Sequence, residues 1–153
     1  PGTLEGGDVL MVGSHFYIGI SERTNHDGAQ QMIGILAKHG LTGSMVQLKE
    51  MLHLKSGVSY LEGGNLLVYG EFVANLMFSK FSKFSKFSKL EIDESEAYAA
   101  NSLWVNDTVF VPQGCPMTAL TIKSKGYVVK LLDVSEFQKL DGGLSCLSLR
   151  FSG

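Results

Sequence analysis

Hydrophobic and polar residues alternate along short stretches of the chain, and these stretches return in one order. Two predicted strands separated by a tight turn come first, then an amphipathic helix, then a third strand. The predicted strands of the first group are residues 8–13, 16–21 and 44–48. Apolar residues at helical spacing predict the helix, with Asn25 or Asp27 as its N-terminal cap and Gly40 at its end.

This strand-strand-helix-strand (ββαβ) order returns twice more. The second group has predicted strands at 58–61, 65–69 and 89–93 and a helical stretch after Gly70; the third has strands at 102–105, 108–111 and 127–132 and a helix near 116–124. An apolar run at 146–151 is predicted as a closing strand. Similarity at an interval of about 45 to 50 residues is typical of a repeat architecture. We therefore predict one α/β domain over 1–153, with modules at about 5–50, 53–95 and 101–134.

Glu5, His53, Asn101 and Cys146 share one position in this repeat. Each precedes the first strand of a group, and they follow one another at intervals of 48, 48 and 45 residues. If the modules surround an axis, equivalent positions converge on it, as catalytic groups do when the loops of a rigid scaffold supply them. The spacing supports a central pocket as a hypothesis and leaves its existence open.

Composition narrows the classes of function. A chain of 153 residues with 44% hydrophobic and 18% charged residues is typical of a globular domain with its own core. The formal net charge of -2 provides no basic surface for a phosphate backbone, so we expect no nucleic acid as a partner. No run of about 18 apolar residues occurs, so we expect no membrane partner. Two cysteines fit a reducing cytoplasm.

Residues 78–89 repeat Phe-Ser-Lys four times. Every third position drifts by roughly 60° around a helix of about 3.6 residues per turn, so the four phenylalanines cannot share one face. We interpret the repeat as a duplication tolerated on a surface helix. A membrane or partner contact through Phe and Lys is the alternative.

Cys146 and Cys115 are the candidate nucleophiles. Cys146 follows Gly142 and Gly143, which allow a sharp turn and leave the thiol at the mouth of a predicted strand. Cys115 stands at a predicted helix start, where thiol pKa values are lowered, and is a rival on that ground. For either cysteine, the alternative role is that of a small buried hydrophobic residue.

A nucleophilic cysteine needs an acid-base group nearby. Among His15, His26, His39 and His53, the last stands out because it lies between apolar residues in MLHLKSG; a core histidine is the alternative. Glu5 precedes two glycines and its carboxylate could orient an imidazole, although a turn or cap is its more common role. The usual zinc-ligand spacings and phosphate-binding glycine loops do not occur, so we expect neither metal nor nucleotide.

Six segments taken together resemble dimethylarginine dimethylaminohydrolases. They are LEGGDVL at 4–10, SERTN at 21–25, LHLKSG at 52–57, EAYAANSLWVN at 96–106, VPQGCPMT at 111–118 and KLDGGLSCLSLRF at 139–151. They occur in order over nearly the whole chain. The resemblance implies a pentein-type α/β propeller of the amidinotransferase superfamily, of which this chain holds about three of the usual five ββαβ modules.

The resemblance also implies a catalytic set: Cys146 as nucleophile, His53 as general acid and base, and Glu5 as the carboxylate that holds the imidazole. Three further residues match substrate-binding positions of the family, namely Arg23 at the substrate carboxylate and Leu140 and Asp141 at the substrate amino end. A planar guanidinium with two parallel donors suits a carboxylate.

The implied reaction belongs to arginine metabolism: hydrolysis of N-omega-methylated arginines to citrulline and dimethylamine or methylamine, through a covalent thiouronium on the cysteine. It requires no cofactor. Lys55 favours methylated arginine over arginine, because arginine deiminases carry an aspartate two residues after this histidine and a lysine cannot accept the same hydrogen bonds.

The family's chain normally begins well before Pro1, with two further modules and acidic residues that hold the guanidinium. We therefore expect this chain to bind its small-molecule substrate only together with a partner, either the N-terminal part or a second copy in a homo-oligomer. Two alternatives stay open: an arginine or agmatine deiminase, and a non-catalytic fragment that binds a partner through an open sheet edge.

Overall fold

The computed structural model describes residues 1–74 and 87–149, in which nine strands form three sheets of three strands each. The chain divides into two compact units, Pro1–Ser56 and Gly57–Gly153. The first unit holds the first predicted module and the first four residues of the second, 53–56; the second unit holds the rest of the second module and the third. That the whole chain is one domain stays a prediction.

The first unit confirms the predicted order of its elements. They are β1 (Val9–Val12), β2 (His15–Ile20), α1 (His26–Lys38) and β3 (Thr42–Gln47). A single helical turn that was not predicted, α2 (Leu54–Gly57), follows and ends at the first residue of the second unit. β1 pairs antiparallel with β2, and β2 pairs parallel with β3. The parallel pair needs a crossover of about a dozen residues or more, and α1 supplies it.

The ends of α1 follow from two residues. Asn25 Oδ1 accepts a hydrogen bond of 2.8 Å from Gly28 N, which satisfies one of the free amides of the first turn; Asn25, and not Asp27, is therefore the cap. Gly40 follows the helix with φ of +73°, a backbone conformation that ends helices and favours glycine. Between these ends the buried face of α1 includes Ala29, which packs against Ile18 of the central strand.

The second unit contains two sheets of the same design. Its elements are β4 (Val58–Leu61), β5 (Asn65–Val68), β6 (Ser88–Glu91), β7 (Leu103–Val105), β8 (Thr108–Pro112), α3 (Pro116–Ser124), β9 (Val128–Leu132) and α4 (Ser135–Gln138). In each sheet the first pair of strands is antiparallel and the second pair parallel. One apolar core serves both sheets, with Leu61 and Leu67 from one and Val109 and Val111 from the other.

Three short 3₁₀ helices complete the described elements: Gly6–Asp8, Gly70–Phe72 and Glu94–Asn101. The second of these begins the helical stretch predicted after Gly70. The rest of that stretch, with most of the Phe-Ser-Lys repeat, lies outside the described residues. None of the helices that are described combines the length and apolar character needed to cross a membrane.

The chain end departs from the prediction. Residues 144–147 form a turn, so the closing strand predicted at 146–151 is wrong for residues 146–149; the remainder lies outside the described residues. The reason is local hydrogen bonding. Leu147 N donates to Gly143 O at 3.1 Å and Ser148 N donates to Ser145 O at 3.3 Å, so these amides bond within the turn and not to a neighbouring strand.

Candidate active site

Three of the predicted site residues come together in the first unit. Glu5 precedes β1, Arg23 lies in the loop after β2, and His53 lies after β3, directly before α2. One carboxylate joins the other two side chains: Glu5 Oε1 lies 3.4 Å from His53 Nε2, and Glu5 Oε2 lies 3.5 Å from Arg23 Nη1. Residues separated by 48 positions in sequence are thus in contact, as the repeat spacing predicts for Glu5 and His53.

The glycines after Glu5 allow the imidazole of His53 to lie close to the backbone at Gly7. Asp8 N donates to Glu5 O at 3.0 Å and closes the 3₁₀ turn Gly6–Asp8. A Cβ on Gly7 would lie 2.9 Å from His53 Cγ, so a larger residue would collide with the imidazole. Gly7 is therefore part of the packing surface of His53.

Asp8 is a functional candidate that the sequence reasoning missed. Its side chain is fully buried, and Oδ1 lies 3.4 Å from His53 Nδ1. The two ring nitrogens of His53 thus face two different carboxylates. The only sequence signal was an acidic residue at the start of an apolar strand, a pattern that usually marks a turn.

The side chains of His53, Glu5 and Arg23 differ in exposure to solvent, and this difference suits them to different roles. The side chain of His53 is 15% exposed, against 41% for Glu5 and 60% for Arg23. A shielded imidazole with a carboxylate near each ring nitrogen is placed for proton transfer. The open guanidinium has five N–H donors, and its contact with Glu5 involves one nitrogen, so it can take a carboxylate from solution.

An open cavity of about 520 Å³ also lies in the first unit. Its lining includes Ser21 and Leu52 but not Glu5, Arg23 or His53. The cavity therefore adjoins the loops that carry the cluster and is not the cluster itself.

The remaining predicted site residues lie in the second unit, close together in sequence. Leu140 and Asp141 follow α4; the side chain of Leu140 is 85% exposed, and Asp141 has φ of +58°. Cys146 lies in the turn 144–147 and is exposed. An exposed thiol can meet a reagent or substrate, which a buried one cannot.

Cys115 is disfavoured as the nucleophile. It is 7% exposed and precedes α3, whose first amides are already taken: Glu96 Oε1 accepts from Met117 N at 2.9 Å and Glu96 Oε2 accepts from Thr118 N at 2.7 Å. Burial, and after it the charge of Glu96, raise the pKa of the Cys115 thiol. The helix start therefore does not activate this thiol as the sequence suggested.

The other histidines have different surroundings. His15 contacts the hydroxyls of Thr42 and Ser44 at 2.8 Å each, and burial lowers its pKa. His26 begins α1 and His39 caps its end. Within residues 1–74 and 87–149, no three His, Cys, Asp or Glu side chains are arranged to hold a metal ion.

The chain belongs to the arginine deiminase family, whose model matches residues 1–103. Within it, the chain is similar to dimethylarginine dimethylaminohydrolases. The enzyme of that name from Pseudomonas aeruginosa is 55% identical over 151 residues, which cover 99% of this chain and 57% of the relative. That of Streptomyces coelicolor is 34% identical over 150 residues, covering 98% and 55%. The chain thus spans little more than half the length of these relatives.

A solved structure confirms the fold. A serine variant of the Pseudomonas aeruginosa enzyme complexed with citrulline superposes with a TM-score of 0.93 at 54% identity, covering 99% of this chain and 57% of that one. The predicted α/β class, its ββαβ modules and the resemblance stated from sequence are all confirmed.

Proposed function

We propose that this chain carries the reactive residues of a hydrolase that converts N-omega-methylated arginines to citrulline and dimethylamine or methylamine. The observation that carries the proposal is the Glu5–His53–Arg23 cluster in a chain 55% identical to a dimethylarginine dimethylaminohydrolase. The solved relative with citrulline bound supports the same product.

Cys146 is the proposed nucleophile. Its thiolate attacks the guanidinium carbon, and the imidazolium of His53 gives a proton to the departing methylated amine, which leaves a thiouronium on the sulfur. Neutral His53 then takes a proton from water as the water attacks that carbon. The carbon-sulfur bond then breaks, which re-forms the Cys146 thiolate, and the hydroxyl on the same carbon loses its proton to solvent to give the carbonyl of citrulline.

The roles of the other residues follow from charge and exposure. Glu5, in contact with Nε2 of His53, stabilises the imidazolium that forms during turnover. Arg23 binds the substrate carboxylate with its exposed guanidinium. Leu140 and Asp141, at an exposed chain reversal, are the proposed contacts of the substrate amino end.

Lys55 supports methylated arginine over arginine as the substrate. Its position two residues after His53 puts a cation, which has no acceptor, where a guanidinium-binding carboxylate would be required. The guanidinium is then held by acidic residues that the resemblance assigns to a part of the family's sequence outside this chain. We propose that this part, or a second copy of this chain in a homo-oligomer, completes the site.

We also propose the cytoplasm as the compartment, which the two free cysteines support.

An assay for the ureido group, which citrulline and the carbamoyl product of agmatine share, tests the proposal. The chain is incubated with dimethylarginine, arginine, agmatine or no substrate, alone and with the N-terminal part of the Pseudomonas aeruginosa relative added as a separate polypeptide. With the N-terminal part present we expect citrulline from dimethylarginine, loss of product in Cys146→Ser, and retained product in the control Cys115→Ala.

Other outcomes would contradict specific parts of the proposed function. Product from arginine or agmatine only would identify a deiminase. No product from any substrate, even with the added part, would leave a non-catalytic fragment. A mass shift at Cys115 instead of Cys146 after treatment with a guanidine-mimicking inactivator would refute the assignment of the nucleophile.

A further inference from the structure

The backbone that leads into Cys146 is attached to the 3₁₀ helix Glu94–Asn101. Asn101 Oδ1 accepts a hydrogen bond of 2.8 Å from Ser145 N, and the hydroxyl of Tyr98 donates to Gly142 O. Both bonds join residues 44 positions apart. Two side chains, three residues apart on one helix, therefore fix the loop immediately before the proposed nucleophile.

Gly143 shows how closely Asn101 approaches this loop. A Cβ on Gly143 would lie 2.6 Å from Asn101 Cγ and 2.6 Å from Nδ2, nearer than real Cβ atoms approach other heavy atoms. The φ angle of Gly143 lies outside the left-handed region, so the backbone conformation does not require glycine there. The space that a side chain would fill is occupied by the Asn101 amide.

The turn beyond this attachment has its own hydrogen bonds. Leu147 N donates to Gly143 O and the Ser148 hydroxyl donates to Ser145 O at 2.9 Å, so the residues on both sides of Cys146 bond within the turn. The Cys146 side chain itself is exposed. Burial raises the pKa of the Tyr98 phenol, and the charges of the Cys146 and Cys115 sulfurs raise it further.

We propose that Asn101 is a positioning residue for Cys146. Asn101 acts through the backbone of residues 143–145, and its amide occupies the volume that a side chain at position 143 would need. This inference rests on the proposed function for its catalytic meaning. The repeat spacing that links Asn101 with Glu5, His53 and Cys146 then has a physical basis: this member of the set holds the backbone that leads into the nucleophile.

The first experiment needs no activity. Amide hydrogen exchange is measured by NMR in the wild-type chain, Asn101→Ala, Asn101→Asp and the control Asn65→Ala, which removes a comparable side-chain hydrogen bond to the Tyr127 hydroxyl in the same unit. We expect Ser145 exchange to rise on the order of tenfold in Asn101→Ala, to stay near wild type in Asn101→Asp, which keeps the acceptor, and to be unchanged in Asn65→Ala. Unchanged Ser145 exchange in Asn101→Ala would overturn the proposal.

The second experiment measures the thiol. The rate of Cys146 modification by chloroacetamidine, a guanidine mimic, is read by peptide mass with Cys115 as internal reference. We expect Asn101→Ala to slow the reaction of Cys146 by about threefold or more and Asn101→Asp to restore it. Equal slowing in Asn65→Ala would indicate a general structural effect and overturn the proposal.

A double substitution tests the reserved space. Gly143→Ala should slow Cys146 modification because its methyl group displaces Asn101. The same change made in the Asn101→Ala background should add little, since the obstacle is gone. Additive effects would contradict the inference.

Kinetics connect the inference with the proposed function. Under the assay conditions in which the wild-type chain forms citrulline, Asn101→Ala should lower kcat about tenfold and change KM less than about threefold. This pattern is expected when an interaction that stabilises only the transition state is lost. If the wild-type chain forms no citrulline under any condition, the proposed function fails, and the exchange and thiol measurements still decide whether Asn101 holds the loop.

Discussion

Nδ1 of His53 lies 3.4 Å from Oδ1 of Asp8, a carboxylate with no exposed surface. The same oxygen accepts from Leu54 N at 3.1 Å, and Oδ2 accepts from the hydroxyls of Ser21 and Thr24 at 2.7 Å each. Three donors from two loops thus fix Asp8. Because the other ring nitrogen faces the partly exposed Glu5, one side of the imidazole meets a rigid carboxylate and the other meets one that can adjust.

Replacement of Asp8 should destabilise the first unit. Asp8→Ala leaves two buried donors and one half-buried donor without their acceptor, so we expect the free energy of unfolding to fall by about 3 kcal/mol. Urea denaturation monitored by circular dichroism measures the change. Glu22→Ala, at an exposed position of the same loop, is the control and should change stability by less than about 0.5 kcal/mol. A similar small effect at Asp8 would contradict the structure.

Two glycines of α1 should respond in opposite ways to alanine. A Cβ on Gly28 would lie 2.0 Å from Thr3 O, and Thr3 belongs to the segment that docks on Asn25 and leads to Glu5. A Cβ on Gly34 would meet nothing within 4 Å. We expect Gly28→Ala to lower the melting temperature and Gly34→Ala to raise stability by about 0.5–1 kcal/mol, the usual gain within a helix.

Gly34→Ala also serves as the matched control for Gly28→Ala, because both changes are identical and lie in one helix. Stabilisation by both would show that the Thr3 segment does not pack on Gly28. In that case the position of Glu5 would need another explanation.

The strands and the helix α1 could be predicted because their signals are local. The apolar run Tyr17–Ile20 is buried on both faces of the central strand β2, and Asn25 supplies a cap within three residues of its donor. The run at 146–151 also contains apolar residues at strand spacing, yet Leu147 bonds to Gly143. Periodicity records which residues are apolar and does not record whether a neighbouring strand is available.

The candidate site was predictable only in part for the same reason. Repeat spacing and family resemblance together select Glu5 and His53, because both depend on positions in sequence. Asp8 and Glu96 act through partners that only folding brings together. The carboxylate of Glu96 lies on amides of α3, 21 and 22 residues away, and this contact reverses the expectation of an activated thiol at Cys115.

Cys115 should therefore react slowly, and its rate should depend on Glu96. Removal of the negative charge in Glu96→Gln lowers the pKa of the neighbouring thiol, so we expect its rate of alkylation by iodoacetamide at pH 8 to rise. Peptide mass spectrometry follows both cysteines in one sample. Cys146 provides the internal standard, and an equal rise at both would indicate loosening of the whole unit instead of an electrostatic effect.

Glu96 should also make stability depend on pH at the acid end. Burial alone would raise the pKa of this carboxyl, but hydrogen bonds from Thr118 and Met117 outweigh burial and lower it from its ordinary value of 4.5. A group with a lowered pKa in the folded state stabilises it fully above the unfolded pKa, and the contribution is lost as pH falls from there through the folded value.

We therefore expect the second unit to lose stability below about pH 4.5 and to lose less of it in Glu96→Gln, which carries no titrating group. At pH 7 the same variant should be destabilised by about 1 kcal/mol, because an amide cannot accept from both backbone donors with two oxygens. Thermal unfolding from pH 3 to 7 measures both effects. Glu136→Gln is the control, since Glu136 is 78% exposed and its contact with Lys139 is a surface ion pair. If the acid dependence of Glu96→Gln matches that of the wild type and of this control, the carboxylate of Glu96 does not hold α3 in the folded protein.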